Sequence, residues 1–187
     1  MKKVVYLFDR TQIENLDFIG LMNFKSYYLQ LLNDNPFPEP PKSGSFHDVI
    51  TYLKRKNQSQ ALKIGAYENI TVFEAANRIA SDLIIINGLL QLVEKNKNLK
   101  NALFTLRLGT THHVGKGDFT INCNGEELEG EAFNVAPSFL KQKLRNTINK
   151  WKHNHQLKYI LVNTEAFEFV GHSKIDERVF KVENWHE

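Results

Sequence analysis

Two hydrophobic rhythms divide this chain. Up to about residue 95 apolar side chains return every three or four positions, as on one face of a helix. Phe18, Leu21, Met22, Tyr28, Leu29 and Leu32 predict an amphipathic helix over residues 17–32. The stretch PFPEPPKSGS at 36–45 is half Pro and Gly, so neither a helix nor a central strand runs through it. Ser45 with Asp48 three positions on reads as a helix start, and Phe46, Val49, Ile50 and Leu53 follow at helical spacing. Thr71 and Glu74 form a capping box that opens the clearest helix. Val72, Ala75, Ile79, Leu83, Ile86, Leu90 and Val93 make its apolar stripe, which Ile84, Ile85, Leu89 and Leu92 widen until it is apolar nearly all round. Such a helix belongs at the centre of a domain. Asp82 interrupts it, with Arg78 placed to pair with Asp82 and with Glu74.

Beyond residue 100 the period falls to two. Strands are predicted over 102–108, 118–123 and 126–135. Pro137 and Ser138 then start a helix that buries Leu140, Leu144, Ile148 and Trp151. A compact strand at 159–162 and an edge strand at 178–182 close the pattern, and residues 4–8 offer a further short strand. The expected fold is α/β: a single domain over 1–187, with a mainly helical N-terminal region, 1–66, packed on an α/β core, 67–187.

Asn124-Gly125 between two strand-like runs favours a two-residue type I′ turn, and that turn fixes the register. Cys123 then faces Glu126, Ile121 faces Leu128, Thr120 faces Glu129, and Asp118 faces Glu131. Phe119, Ile121, Cys123, Leu128 and Ala132 share an apolar face. Asp118, Thr120, Asn122, Glu127, Glu129 and Glu131 share the other. Those near the turn can face water, but Asp118 and Glu131 lie toward the middle of the sheet, and like charges directly opposed destabilise it. A divalent cation such as Mg²⁺ offsets that repulsion. Mutual solvation, or pairing with Arg107 or Lys116, would do so as well.

Composition narrows the field. At 187 residues, 42% hydrophobic and 24% charged, the chain has the make-up of one globular domain. No apolar run approaches the ~18 residues of a membrane span, so no membrane partner is expected. MKKVVYLFDR is too briefly apolar for a secretory signal. A single cysteine, Cys123, allows no internal disulfide, which points to the cytoplasm. The net charge of +3 says little, but its distribution says more. Residues 132–164 contain no Asp or Glu, yet hold Lys141, Lys143, Arg145, Lys150, Lys152 and Lys158. That stretch is either a solvated helix face or a surface for a polyanion.

The order helix, three strands, helix, strand over roughly residues 70–163, with Gly117-Asp118-Phe119 at the start of the second strand and Glu131-Ala132-Phe133 on the third, resembles the PD-(D/E)XK nuclease superfamily. The resemblance implies a restriction-endonuclease-like mixed sheet and metal-assisted hydrolysis of DNA phosphodiesters. Asp118 and Glu131 would hold Mg²⁺ or Mn²⁺, with Glu74 as a third acid from the first helix and Asp82 as its understudy. Phe133 occupies the family's lysine position. A lysine migrated to the next helix, Lys143 or Lys141, is one repair; Lys143 and Lys150 lie on one flank of that helix's stripe and Lys141 on the other. Glu129-Gly130-Glu131, with an acid in place of lysine, is a second. Failing both, the domain binds nucleic acid or a protein partner without cutting. Lys116, Lys141, Arg145, Lys150 and Lys152 are the expected DNA contacts. Duplex cutters of this family commonly dimerise, so a homodimer is an allowed assembly.

Other chemistry finds little support. His112 and His113 are adjacent, point opposite ways in an extended chain, and lack further spaced ligands for zinc. Cys123 falls on the core face as an inert thiol. No phosphate-binding loop ending in Gly-Lys-Ser/Thr is present. Trp151 is expected in the core.

Overall fold

The computed structural model describes residues 5–6, 12–55, 63–109, 115–170 and 176–186. His112 and His113 lie outside them. The described residues form an α/β fold with a six-stranded mixed sheet, a small three-stranded sheet and five α-helices. In chain order these are β1 (Val5–Tyr6), β2 (Gln12–Leu16), α1 (Phe18–Asp34), α2 (Phe46–Leu53), β3 (Lys63–Ile64), β4 (Tyr67–Glu68) and α3 (Val72–Lys95). Then follow β5 (Leu103–Arg107), β6 (Phe119–Cys123), β7 (Glu126–Phe133), α4 (Leu140–Lys150), β8 (Leu157–Asn163), α5 (Thr164–Val170) and β9 (Val179–Val182).

The main sheet runs β2-β5-β6-β7-β8-β9. The first four strands are antiparallel to their neighbours, and β8 and β9 continue in parallel with β7. The parallel step from β7 to β8 is made through α4, as a parallel pairing requires a crossover. Strand alternation divides the core in two. Phe104, Leu106, Phe119, Ile121, Ala132 and Leu161 meet α3 and α1 on one face. Phe133, Ile160 and Val162 meet Leu140, Leu144, Trp151 and Phe167 of the α4–α5 side on the other. The chain thus buries a helix layer on each side of one sheet.

Most predicted elements form where the pattern places them. The capping box of Thr71 and Glu74 is made in both directions, and Asp17 and Ser45 cap α1 and α2. Strand β2 comes from the N-terminal region and forms the edge of the main sheet, where Ile13 and Leu16 reach the core. The β3–β4 hairpin and α5 have no counterpart in the sequence reading. Two-residue strands carry no period, and the seven residues of α5 barely cover two turns.

Asp82 is fully buried, but its partners are not those the helix spacing suggests. Its carboxylate accepts from the Tyr28 hydroxyl at 2.7 Å, from the Tyr67 hydroxyl, and from the Gly109 amide at 2.9 Å. Arg78 acts beside it through charge, donates to the Gly109 carbonyl, and lies 6.0 Å over the Tyr67 ring. Burial pushes the Asp82 carboxyl up to about 6, against the pull of these donors. The ionisable group therefore ties α1, β4 and α3 to the end of β5.

Gly130 is where β7 admits the Phe119 ring, since a Cβ there would collide with its far edge. Phe119 is wholly buried and has nowhere to move. Gly130→Ala is expected to cost about 1–3 kcal/mol of stability, read as a lower urea midpoint with unchanged slope.

Candidate functional site

The hairpin turn forms as predicted. Asn124 and Gly125 take φ of 54° and 84°, the left-handed values of a type I′ turn. The register pairs Cys123 with Glu126, Ile121 with Leu128, Thr120 with Glu129 and Phe119 with Gly130. Continuing it brings Asp118 beside Glu131, on the face that α4 covers.

Each acid is held by one oxygen. Asp118 Oδ2 accepts from the Ala132 amide at 2.8 Å. Glu131 Oε1 accepts from Lys150 Nζ and from Trp151 Nε1, both at 2.8 Å. Among the described residues, Asp118 Oδ1 and Glu131 Oε2 accept no hydrogen bond. Burial first, and the Glu131 charge second, push the Asp118 carboxyl up to about 6, while the Ala132 amide, Lys143 and Lys150 pull the other way. The site therefore has two clustered carboxylates, each with an uncommitted oxygen, and two ammonium groups close enough to be felt. That donor set suits a hard divalent cation, which takes one or two carboxylates and fills its remaining positions with water or phosphate oxygens.

The helix supplying the lysines is placed by its own stripe. Leu140, Leu144 and Thr147 are buried against the sheet, and Trp151 closes the row. Lys143 and Lys150 fall on the flank next to the acids, and Lys143 also sits 4.6 Å over the Phe133 ring. Lys141 and Arg145 fall on the other flank, around Ile148 and Asn149. Of the two candidate migrated lysines, Lys143 is the one whose charge reaches Asp118. Lys150, expected only to touch DNA, makes the direct contact. Arg145 and Lys152 are exposed.

Behind the pair lies a buried polar clamp that sequence reasoning missed. Glu129 is fully buried rather than solvated. Its carboxylate accepts from the Gly117 amide at 2.8 Å and the Thr120 hydroxyl at 2.8 Å, and stands 3.6 Å from Arg107. Arg107 in turn donates to the Gly117 carbonyl at 3.1 Å and to Thr120 at 2.8 Å. Gly117, the residue just before Asp118, is thus gripped at both its N–H and its C=O. Gly117 has no room for a side chain, since a Cβ would strike the Gly130 carbonyl. Lys116 is committed to Glu127 at 2.7 Å and Glu129 at 3.0 Å, so it stands in an ion pair and not on an open cationic surface. The motif alternative Glu129-Gly130-Glu131 places Glu129 in this clamp instead of beside Asp118.

Glu74 remains in its capping box, with Oε2 accepting from the Thr71 amide and hydroxyl at 2.9 Å. Among the described residues no group of three or more His, Cys, Asp or Glu side chains is gathered for a metal, so Glu74 does not complete a triad with Asp118 and Glu131. Trp151 was expected only in the core. Its buried N–H required an acceptor, and that requirement was the available signal for its contact with Glu131. No helix among the described residues is long and apolar enough to cross a membrane. Comparison with family models, curated proteins and solved structures finds no match.

The raised Asp118 carboxyl has a signed consequence. Between about pH 4 and 6 the folded chain holds a proton that the unfolded chain has released, so stability falls as pH rises through that window. The contribution is fully present below the ordinary value of 3.8 and lost above about 6. Asp118→Asn removes this titration. In EDTA its stability relative to wild type is expected to improve by the order of 2–3 kcal/mol between pH 4 and 7. Asp82 titrates in both proteins and cancels in the difference. Parallel stability profiles would show that the pair carries no such strain.

Proposed function

We propose that this chain is a metal-dependent nuclease that hydrolyses DNA phosphodiester bonds in the cytoplasm, in a restriction or defence role, on a restriction-endonuclease-like core. The observation that carries the reading is the pairing of Asp118 with Glu131, one oxygen of each held by the protein and the other uncommitted, under the lysines of α4. The strand order and the parallel crossover through α4 agree with the PD-(D/E)XK pattern to which the sequence is similar.

Asp118 and Glu131 would hold Mg²⁺ or Mn²⁺, which when bound supplies Lewis-acid polarisation of a phosphate oxygen and a more acidic water. The chain's own residues do the rest. Lys150 and Trp151 fix the rotamer of Glu131, and the Ala132 amide fixes that of Asp118. The clamp of Arg107 and Glu129 holds the backbone that carries Asp118. Lys143 and Lys150 balance negative charge where a phosphate approaches. Lys141, Arg145 and Lys152 extend the cationic surface along α4, so affinity for DNA should fall steeply with salt.

A second reading has one observation in its favour. Phe133 is buried in the lysine position, and Lys150 already neutralises Glu131. A domain so balanced could bind nucleic acid without cutting it.

The deciding assay is cleavage of plasmid DNA in Mg²⁺ or Mn²⁺. Wild type is expected to cut, with a loss on the order of 10²–10³-fold in Asp118→Ala and Glu131→Ala, as when a transition-state stabilising group is removed. Cleavage that survives both substitutions sinks the site. Intact DNA binding with no cleavage by wild type leaves the second reading.

A further inference from the structure

An open depression of about 460 Å³ lies along the acid-facing flank of α4, lined by Phe139, Gln142, Lys143, Asn146, Thr147 and Lys150. Its size falls within the ~300–1,000 Å³ usual for pockets that take small organic groups. It shares Lys150 with the carboxylate site, since this lining residue is also bonded to Glu131 at 2.8 Å.

Its lining has three parts, each answering a different part of a nucleotide. Phe139 leaves 66% of itself exposed and belongs to neither apolar core. A ring so placed adds little to folding, yet the turn from Pro137 to Phe139 presents it next to two cations. The Gln142 and Asn146 amides bond to each other at 2.8 Å across one helical turn. That bond uses Gln142 Nε2 and Asn146 Oδ1. It leaves Gln142 Oε1 and Asn146 Nδ2, an acceptor and a donor, uncommitted among the described residues. Lys143 and Lys150 supply positive charge to the depression and act on Asp118 as well.

We propose that this depression receives an unpaired nucleobase of the substrate strand, with Phe139 as the stacking platform and the Gln142–Asn146 amides meeting the base edge. The inference rests on the nucleic-acid reading of the carboxylate site and adds a substrate class to it. A base inside an intact duplex has both faces stacked and its pairing edge used. Only a single strand, a mismatch or a flipped nucleotide offers face and edge together. The flanking phosphates then fall to Lys143 and Lys150, and the ring's exposure is explained by its task. The favoured substrate is therefore DNA that is single-stranded or locally unpaired at the cut.

The test uses the full chain carrying Asp118→Asn, in EDTA, so that nothing is cut. The probes are an oligonucleotide containing 2-aminopurine, as a single strand and as a perfect duplex. Tighter binding of the single strand, with altered 2-aminopurine fluorescence, is expected. Adding Phe139→Ala should weaken single-strand binding by roughly 5- to 100-fold and abolish the fluorescence change, whereas Phe139→Trp should keep both. Phe169, also an exposed ring at 71% but on α5, serves as the control, and Phe169→Ala should leave binding unchanged. The inference is overturned if Phe139→Ala binds as its parent does, if Phe169→Ala loses as much, or if the duplex binds as tightly as the single strand. Absence of any oligonucleotide binding overturns it too. Cleavage in Mg²⁺ is read separately with native Asp118. Base stacking without cleavage removes the nuclease reading alone, and Asp118-dependent cleavage that ignores Phe139 removes this inference alone.

Discussion

Strand alternation on either side of one tight turn governs this molecule. With the reversal set at Asn124-Gly125, every second residue of β6 and β7 is committed to one face. A slip of β6 by one position would send Phe119 and Ile121 toward α4 and bring Asp118 into the apolar core against α3. The hydrophobic demand of that core therefore holds two like charges together. Few arrangements place carboxylates at opposed positions in mid-sheet without some compensating charge, and here the compensation comes from outside the hairpin.

The charge compensation comes from α4, and a separate buried pair fixes the backbone behind the acids. In front, Lys143 and Lys150 come from α4, whose phase is set by the burial of Leu140, Leu144 and Thr147. Behind, Arg107 from β5 and Glu129 from β7 form a buried pair around Gly117. A buried ion pair is seldom a source of net stability, because desolvation consumes most of the attraction. Its value here is geometric. Removing Glu129 would strand the Arg107 charge in a dry site, and removing Arg107 would leave Glu129 with Lys116 as its cation, so the pair together holds the backbone at Gly117 that leads into Asp118. Asp82 does a comparable job at the end of β5 by fixing Gly109, the far end of the same connection. Buried polar groups thus hold Gly109 just after β5 and Gly117 just before β6.

The sequence made the repeating parts of this structure readable and left the depth of each face hidden. Helix α3 was legible because Thr71 and Glu74 mark its start and its stripe is long. The hairpin was legible because Asn-Gly specifies a turn and the turn specifies a register. Parity put Glu129 on the polar face correctly, but parity cannot tell whether that face is open. Arg107 and the neighbouring strand β8 make it dry, and those contacts are distant in sequence. Helical phase likewise put Lys143 and Lys150 on one flank and Lys141 on the other. Which flank meets the acids depends on how α4 docks, a property of the assembled sheet. Asp82 was recognised as an anomaly in an apolar stripe, yet its tyrosine partners come from α1 and β4, 54 and 15 residues away.

Asp118 and Glu131 together are the proposed cation site. Calorimetric titration of the metal-free protein with Mn²⁺ tests it without reference to any substrate. One Mn²⁺ ion is expected to bind per chain and to be displaced by Mg²⁺, with binding lost in both Asp118→Asn and Glu131→Gln. A wild-type chain that takes up no Mn²⁺, or variants that bind it as wild type does, would contradict it.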